Sequence, residues 1–347
     1  MPTVKKQIEK AEECLHEGDF DQAYQMAQKI IQQNPSELDA YFIMAESCYE
    51  LESFQEAFEI YQKALILFPD NRELLAAIAD LQINFFEEFE KGLQLCDQII
   101  KKTTLEENPE LFLDVMFLKS VALLSLGKSQ ESVAILGQLE KTPEMFEILP
   151  ESFFFLHYGL SLFETFRFEE SIAKFQQALL DDDELAIAHH FKAIAYEWLD
   201  EKEKSKDSYQ QAHEIDPEHF PMPIEIGISE FKKIYQKALL SLDQRIVDLL
   251  KDVPIHFELM PLVADLIKEA PPLSPLIGAK CSGEPPASDI PIEKKWLKPP
   301  KGLFLYVKNM LRLCESEDEV EAEIHANIED SITVFLSLPK NYFHLDG

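Results

Sequence analysis

A histidine and a carboxylate one turn apart on a helix can grip a metal ion, and this chain offers such spacing around His325. His325 and Glu329 are four apart, with Glu321 and Glu323 close by, so a carboxylate–histidine site could form on one helix face. A zinc site needs three or four convergent ligands, which favours reading the same residues as a surface or half-buried histidine among helix-favouring acids. Residues 315–323 would then load a helix N-terminus favourably. His189 and His190 are adjacent, and adjacent helical residues point about 100° apart, so the two do not share an ion. His189 takes an aromatic-like position, whereas His190 is expected to face a groove. Asp181, Asp182 and Asp183 lack the downstream Gly and Glu of a calcium loop and read as a cap and linker. Gly278 and Gly283 have phosphate-loop spacing, but Glu284-Pro285 follows where Lys and Ser or Thr are needed. Neither G-x-G-x-x-G nor G-x-S-x-G occurs. No residue is therefore expected to be catalytic, and no metal or cofactor is expected.

The composition points away from several partners. Lys+Arg 32 against Asp+Glu 64 leaves a formal net charge of −32 over 347 residues, most of it within residues 1–219. So negative a surface repels phosphate backbones and anionic lipid, which argues against nucleic acid and membranes. Hydrophobic content of 46% is that of a folded chain, so the acidity does not signal disorder. Cys14, Cys48, Cys96, Cys281 and Cys314 are scattered and form no C-x-x-C, which suits a reducing compartment. The first residues lack the apolar stretch of a signal peptide, and no apolar run reaches the roughly 18 residues of a membrane span. A soluble, cytoplasmic protein is the expectation.

An internal repeat organises the chain. From Leu38 to Asn71, 34 residues read LDAYFIMAESCYELESFQEAFEIYQKALILFPDN. Ala45, Ala57 and Ala64 sit where two helices must approach closely, Tyr41, Met44, Phe54 and Tyr61 fill the space around them, and Pro69 ends the second helix. This unit resembles the tetratricopeptide repeat. The same frame fits residues 4–37 through Ala11, Gly18, Phe20, Ala23 and Pro35. It fits 72–106 with one extra residue near 86–91, placing Ala79, Gly92 and Ile99 on small or apolar sites. Units at 113–146 (Ser120, Gly127, Ser132, Leu139), 152–185 (Gly159, Phe168, Ser171, Phe175, Ala178) and 186–219 (Ala193, Tyr196, Ser205, Tyr209, Ala212, Pro217) complete six.

The resemblance implies helix pairs stacked into a right-handed superhelix, with the first helix of each pair lining a concave face. In the family's geometry that face would carry Glu12 and His16, then Asp39, Phe42, Glu46, Tyr49 and Glu50, then Glu73 and Asp80. Further along come Phe117, Val121 and Leu124, then Phe153, Leu156, Leu160 and Phe163. The groove would be acidic at its start and apolar in its middle, suiting a protein or peptide with basic and apolar character. The plainer alternative is a solvated acidic face, with the apolar part covered by the chain itself. Repeats that clamp acidic C-termini use Lys and Asn here, where this chain has Ile8, Glu12, Glu46 and Glu73, so a carboxylate ligand would be repelled.

After Pro217 the period ends. Phe220-Pro221-Met222-Pro223 reads as a stiff link, followed by a helix over about 228–251. A strand at 253–259, a short helix at 262–267, a Pro-rich loop at 271–300, a strand at 303–307 and a helix over about 317–338 complete the expectation. The order FKKIYQKALLSLDQRIVDLL, VPIHFELMP, PLIGAKCSGEPP and GLFLYVKNMLRLCESEDEVEAEI resembles a bacterial family of minimal zincin-like metallopeptidase domains over about 220–340. In that family the last helix carries His-Glu-x-x-His-x-x-Gly-x-x-Asp. Here Asp330-Ser331-Ile332-Thr333-Val334 stands over its first five positions, Ser337 over the Gly and Lys340 over the acidic ligand. The resemblance therefore implies a pseudoenzyme.

The expected fold class is mainly α: a repeat array over 1–219, then a small, degenerate α+β zincin-like domain over 220–347. The helix at 228–251 is expected to cover the array's last helix. The expected function is a non-catalytic interaction scaffold. Its alternatives are a residual metal-dependent peptidase using His325, or a chaperone for a secreted or assembling client.

Overall fold

The computed structural model describes residues 4–339 together with 342 and 343. Helices dominate, and the chain divides into two compact units, Met1–Ser161 and Leu162–Gly347. Compactness thus divides the chain inside a helix pair, not at the change of composition after Pro217.

The first unit is built from α1 (Val4–His16), α2 (Phe20–Gln33), α3 (Leu38–Glu50), α4 (Phe54–Leu67), α5 (Arg72–Asn84), α6 (Phe89–Ile100), α7 (Pro109–Ser125), α8 (Ser129–Leu139) and the short α9 (Met145–Ile148). The next helix, α10 (Glu151–Glu164), begins in this unit and ends in the second. Ala11, Ala23, Ala45, Ala57 and Ala64 are fully buried. A methyl group at these sites lets paired backbones approach, and Tyr41, Ile60, Tyr61 and Leu74 close the remaining space. Gly92 on α6 takes this furthest, because a Cβ there would fall 2.4 Å from Ile83 Cγ1 on α5. Helix starts are marked by side-chain caps. Asn71 Oδ1 accepts from the Leu74 amide at 2.7 Å, and Asn108 Oδ1 from that of Leu111 at 3.2 Å with Pro109 following.

One turn recurs in every pair. Gly18, Glu52, Glu87, Gly127, Phe166 and Asp200 all take positive φ, between 53° and 80°. The next amide reaches back to a carbonyl of the first helix: Asp19 N to Cys14 O at 2.9 Å, Ser53 N to Cys48 O at 2.8 Å, Lys128 N to Leu123 O at 2.8 Å, Glu201 N to Tyr196 O at 2.9 Å. This is the closing pattern of a left-handed helix C-terminus. Glycine occupies it without strain, whereas an L side chain costs roughly 1–2 kcal/mol.

The second unit continues with α11 (Phe168–Asp181), α12 (Ala186–Trp198) and α13 (Lys202–Ile215). Its remainder holds α14 (Ile228–Ala238), α15 (Gln244–Leu250), β1 (Ile255–Glu258), α16 (Val263–Leu266), β2 (Ala279–Ser282), α17 (Ile292–Lys295), β3 (Gly302–Tyr306), α18 (Val307–Leu311) and α19 (Glu317–Leu336). The sheet order is β1-β3-β2, with β1 parallel to β3 (Ile255 opposite Leu303) and β2 antiparallel to it (Cys281 opposite Leu303). Phe231, Ile246, Leu303, Leu305, Ile324, Ile328 and Ile332 form the heart of the core between sheet and helices. Ser316 caps α19: its Oγ accepts from the Glu319 amide at 3.3 Å, and the Glu319 side chain accepts from the Glu315 amide at 2.7 Å. At its other end the buried Lys295 donates from Nζ to the Ser337 carbonyl at 3.0 Å.

Three expectations need correction here. The helix over 228–251 is broken, because the Asp243 side chain caps α15 through the Arg245 amide at 2.7 Å while Ser241 turns aside to Glu321 at 3.1 Å. The Pro-rich loop over 271–300 contains β2 and α17; β2 owes its form to pairing with β3, which no local pattern announces. The helix α14 packs on α19 and β1 rather than on the repeat helices. Contact with the repeat helices is made instead by Val263 and Leu276, packed against the Phe163 and Phe168 cluster, and by polar groups. Glu197 on α12 takes Lys308 Nζ at 3.0 Å and Arg312 Nη2 at 3.0 Å, and Ser274 Oγ donates to Glu164 at 3.0 Å.

Two outcomes are expected. Replacing Glu52→Gly relieves a left-handed side chain and should raise the thermal midpoint, for a gain of up to about 1 kcal/mol; no rise would contradict strain at that turn. Arg312→Leu leaves Glu197 under-compensated in a buried site, at a cost of about 3 kcal/mol. Adding Glu197→Leu should recover part of that loss in the same melting experiment.

Candidate peptide-binding cavities on the first helices

Spacing along three successive first helices gathers the carboxylates. Glu46 and Glu50 are one turn apart on α3, Glu73 and Asp80 two turns apart on α5, and Glu110 and Asp114 one turn apart on α7. Glu46, Glu73, Asp80, Glu110 and Asp114 line one cavity of about 620 Å³, whose floor includes Ala76, Ala77, Leu111 and Ile148. A smaller one of about 270 Å³ is lined by Glu46, Tyr49, Glu50, Tyr61, Ala77 and Asp80. The two share Glu46, Ala77 and Asp80, and among the described residues no lysine or arginine lines either.

Uncompensated charge shows in proton affinity. Although solvent reaches the Glu46 side chain, partial desolvation holds its carboxyl above the usual range, with Glu50 and Glu12 adding to this and His16 opposing. Burial raises Asp80 as well, against hydrogen bonds from Asn84 (Nδ2 to Oδ1 2.7 Å) and Tyr49 that favour its charged form. Asp114 is pushed up to about 6, first by burial and then by the charges of Asp80 and Glu110. Burial and the neighbouring Asp80 push the Tyr49 phenol up to about 12.

Of the residues expected on this face, Glu46, Tyr49, Glu50, Glu73 and Asp80 are brought together. Glu12 and Asp39 are exposed on α1 and α3 and line neither cavity, although Glu12 is near enough to act on Glu46. Phe42 is half-buried with its ring edge-on to Tyr61 at 5.7 Å. The apolar middle is corrected in part. Phe117 is 2% exposed, between Phe153 at 5.5 Å and His157 at 5.4 Å, and Phe163 is fully buried against Phe168 at 5.4 Å. These rings are core, because aromatic partners from neighbouring helices enclose them. Phe153 remains 41% exposed. His190 is also buried, packed on Tyr209 at 5.5 Å and Phe220 at 5.0 Å; burial, then the charge of Arg312, lowers it to about 4.

Tyr61, Glu110 and Asp114 were not anticipated on this face. Tyr61 lies on a second helix, outside the first-helix rule. Glu110 lies ahead of the fourth unit as framed from residue 113, because α7 begins at Pro109, whereas Asp114 is the second residue of that frame and shares the position of Asp39 and Glu73. The one-turn spacing of the two acids was visible all the same.

The helix that the resemblance equates with a zinc helix does not suit a metal. Ser331, Ile332 and Thr333 are buried, Asp330 and Val334 are exposed, and Lys340 lies outside the described residues. His325 Nε2 lies 2.7 Å from the Ala238 carbonyl, so it acts as a donor there and is not a free ligand. Among the described residues no group of three or more His, Cys, Asp or Glu could hold a metal ion. Nor is any described helix long and apolar enough to cross a membrane.

The family described as anaphase-promoting complex, cyclosome, subunit 3 matches residues 8–64, which hold most of α1, all of α2 and α3, and most of α4. No curated protein matches by sequence. Among solved structures the chain is similar to PilW, described as a widely conserved type IV pilus biogenesis factor, at 14% identity and a TM-score of 0.52, covering 62% of this chain and 95% of that one. Pseudomonas aeruginosa pilF is similar at 14% identity and 0.51, covering 67% and 97%. A chain of the APC/C hetero-tetramer Cut9-Hcn1 is similar at 13% and 0.51, covering 62% and 40%. At these identities the likeness is one of fold. Together with the helix pairs, it gives the chain a tetratricopeptide-type fold of paired helices.

Asp114 supplies a test. Its ordinary value is 3.8 and its folded value about 6, so the folded state holds the proton more tightly than the unfolded one. Stability of the free protein therefore falls as pH rises between those values. Asp114→Asn should raise the melting temperature above pH 6 by about 2–4 °C, and bring no such gain below pH 4.

Proposed function

We propose that this protein is a non-catalytic scaffold that binds a protein or peptide segment of basic and apolar character on the first helices of its repeats. The observation that carries this reading is the pair of adjoining cavities lined by carboxylates, with no basic side chain in either among the described residues. Crowded carboxylates raise one another's proton affinity, and a partner's cation relieves that repulsion while recovering part of the desolvation cost. The accessible apolar surface is small, with Leu111, Ile148 and the Ala76–Ala77 step at the cavity floor. Charge therefore steers such a partner, and modest apolar contacts hold it.

Residues 220–347 fit the reading as a degenerate zincin-like domain that docks or shields without catalysis. Its support is the order of sequence blocks over 220–340, the small mixed sheet against α19, and the engagement of His325 by Ala238. The reducing conditions suggested by five free cysteines suit the cytoplasm.

Charge reversal tests the proposal. Glu46→Lys, Glu50→Lys and Asp80→Lys together should weaken binding of a basic peptide by about tenfold or more, and the wild-type affinity should fall as salt is raised. Unchanged binding in a correctly folded triple variant would sink the acidic-face reading.

A further inference from the structure

The turn between α5 and α6 is wider than its counterparts. Elsewhere the closing amide reaches back five positions, as from Ser53 N to Cys48 O, whereas Glu88 N reaches six, to Gln82 O at 2.7 Å. The extra residue does not improve the turn itself, where Gln82 Oε1 stays buried without a partner among the described residues. It does bring out Phe85, which stands two positions before the left-handed Glu87 and is 36% exposed. The Phe85 ring stacks on Phe54 with centroids 3.8 Å apart and stands edge-on to Tyr49 at 5.2 Å. Tyr49 and Phe54, both half-buried, meet edge-on at 5.4 Å, and Leu51 in the turn between them is 45% exposed. Two successive turns thus carry one aromatic shelf facing water, a composition typical of the centre of an interface. Tyr49 also lines the smaller cavity, so the shelf adjoins the carboxylates through one residue.

We infer that this shelf seats a large apolar side chain of the bound segment, next to the basic residue that the carboxylates receive. The inference rests on the basic-partner reading above and adds an apolar anchor and its place. Charge around the shelf selects the same partner. Glu50, Glu52 and Glu87 flank the shelf residues in sequence, are exposed, and make no ion pair among the described residues. Lys91, six residues beyond Phe85, is held by Glu88. A lysine or arginine beside the anchor therefore meets opposite charge at the rim, and an acidic neighbour meets like charge. With one side of Phe85 against Phe54 and its edge against Tyr49, the ring is ordered before binding and loses little freedom when its open side is covered. A second copy of this chain is the poorer occupant, because a net charge of −32 on each brings like charge to that rim.

The test uses the full chain and two synthetic peptides of one lysine-rich sequence, differing only in a central phenylalanine or alanine, titrated by calorimetry. The phenylalanine peptide should bind at least about fivefold more tightly than the alanine peptide. Phe85→Ser should bring the two peptides within about twofold of one another and leave the affinity for the alanine peptide unchanged. Leu51→Ser, in the neighbouring turn, should lessen the preference too, a result read independently of how Phe85→Ser folds. Equal wild-type affinity for the two peptides, with both lost on the triple charge reversal, overturns the shelf and leaves the acidic-face reading standing. A preference that persists in both Phe85→Ser and Leu51→Ser overturns the shelf likewise. Binding that survives the reversal, or no binding of either peptide, overturns both.

Discussion

Close approach of paired helices is the constraint from which the repeat architecture follows. Where Ala11, Ala23, Ala45, Ala57 and Ala64 meet a neighbouring backbone, a methyl group is all the space allows. Gly92 against Ile83 shows the limit, since even a Cβ would collide. Fixing those contacts fixes the rotation of each helix about its axis. Once the small face of a first helix is turned inward, the residues one and two turns along its opposite edge must align with those of the next first helix. Glu46, Asp80 and Asp114 are neighbours for this reason, although each is more than thirty positions from the next. The recurrent left-handed turn serves the same end by reversing the chain in one residue, and four of the six pairs accept a non-glycine residue there.

Alignment of like charges has an energetic consequence. Isolated on a solvated helix, each acid would titrate near its ordinary value. Gathered against alanine, leucine and isoleucine, Asp114 and Asp80 lose hydration, and Asp114 also feels the charge of Asp80. The free protein therefore carries an electrostatic strain that its hydrogen bonds only partly offset, with Asn84 and Tyr49 both directed at Asp80. A cation would relieve that strain and an anion would add to it, which is the physical basis of the proposed basic partner.

In the second unit a different device joins repeat helices to the segment that follows. Glu197 is held by Arg312, Lys308 and Tyr209, while Val263 and Leu276 pack beside the Phe163 and Phe168 cluster. Arg312 is itself nearly inaccessible. Such a pair contributes little net stability compared with an apolar contact of equal volume. Its directional bonds do fix one arrangement of α12 against α18, and Asn309 extends that network to the Pro275 and Ile277 carbonyls at 2.9 and 2.7 Å. The composition shift after Pro217 is real, but it does not mark the end of a compact body.

The sequence by itself determined the helices, their pairing and the small residues between them, because those depend on patterns a few residues to one turn long. Ala45, Ala57 and Ala64 could be read as contact points from their spacing alone, and Glu46, Glu50 and Asp80 as one acidic face. Tertiary structure decided what no local pattern carries. It turned Phe117 and Phe163 into core by surrounding them with rings from other helices, and split the helix over 228–251 where Asp243 and Ser241 found better partners. It made a strand of Ala279–Ser282 by pairing it with β3. It also brought Tyr61, from a second helix, to the wall of a cavity built by first helices. Periodicity fixes which side of a helix is apolar; only the packed neighbours determine which of those side chains are covered and which are left facing a space.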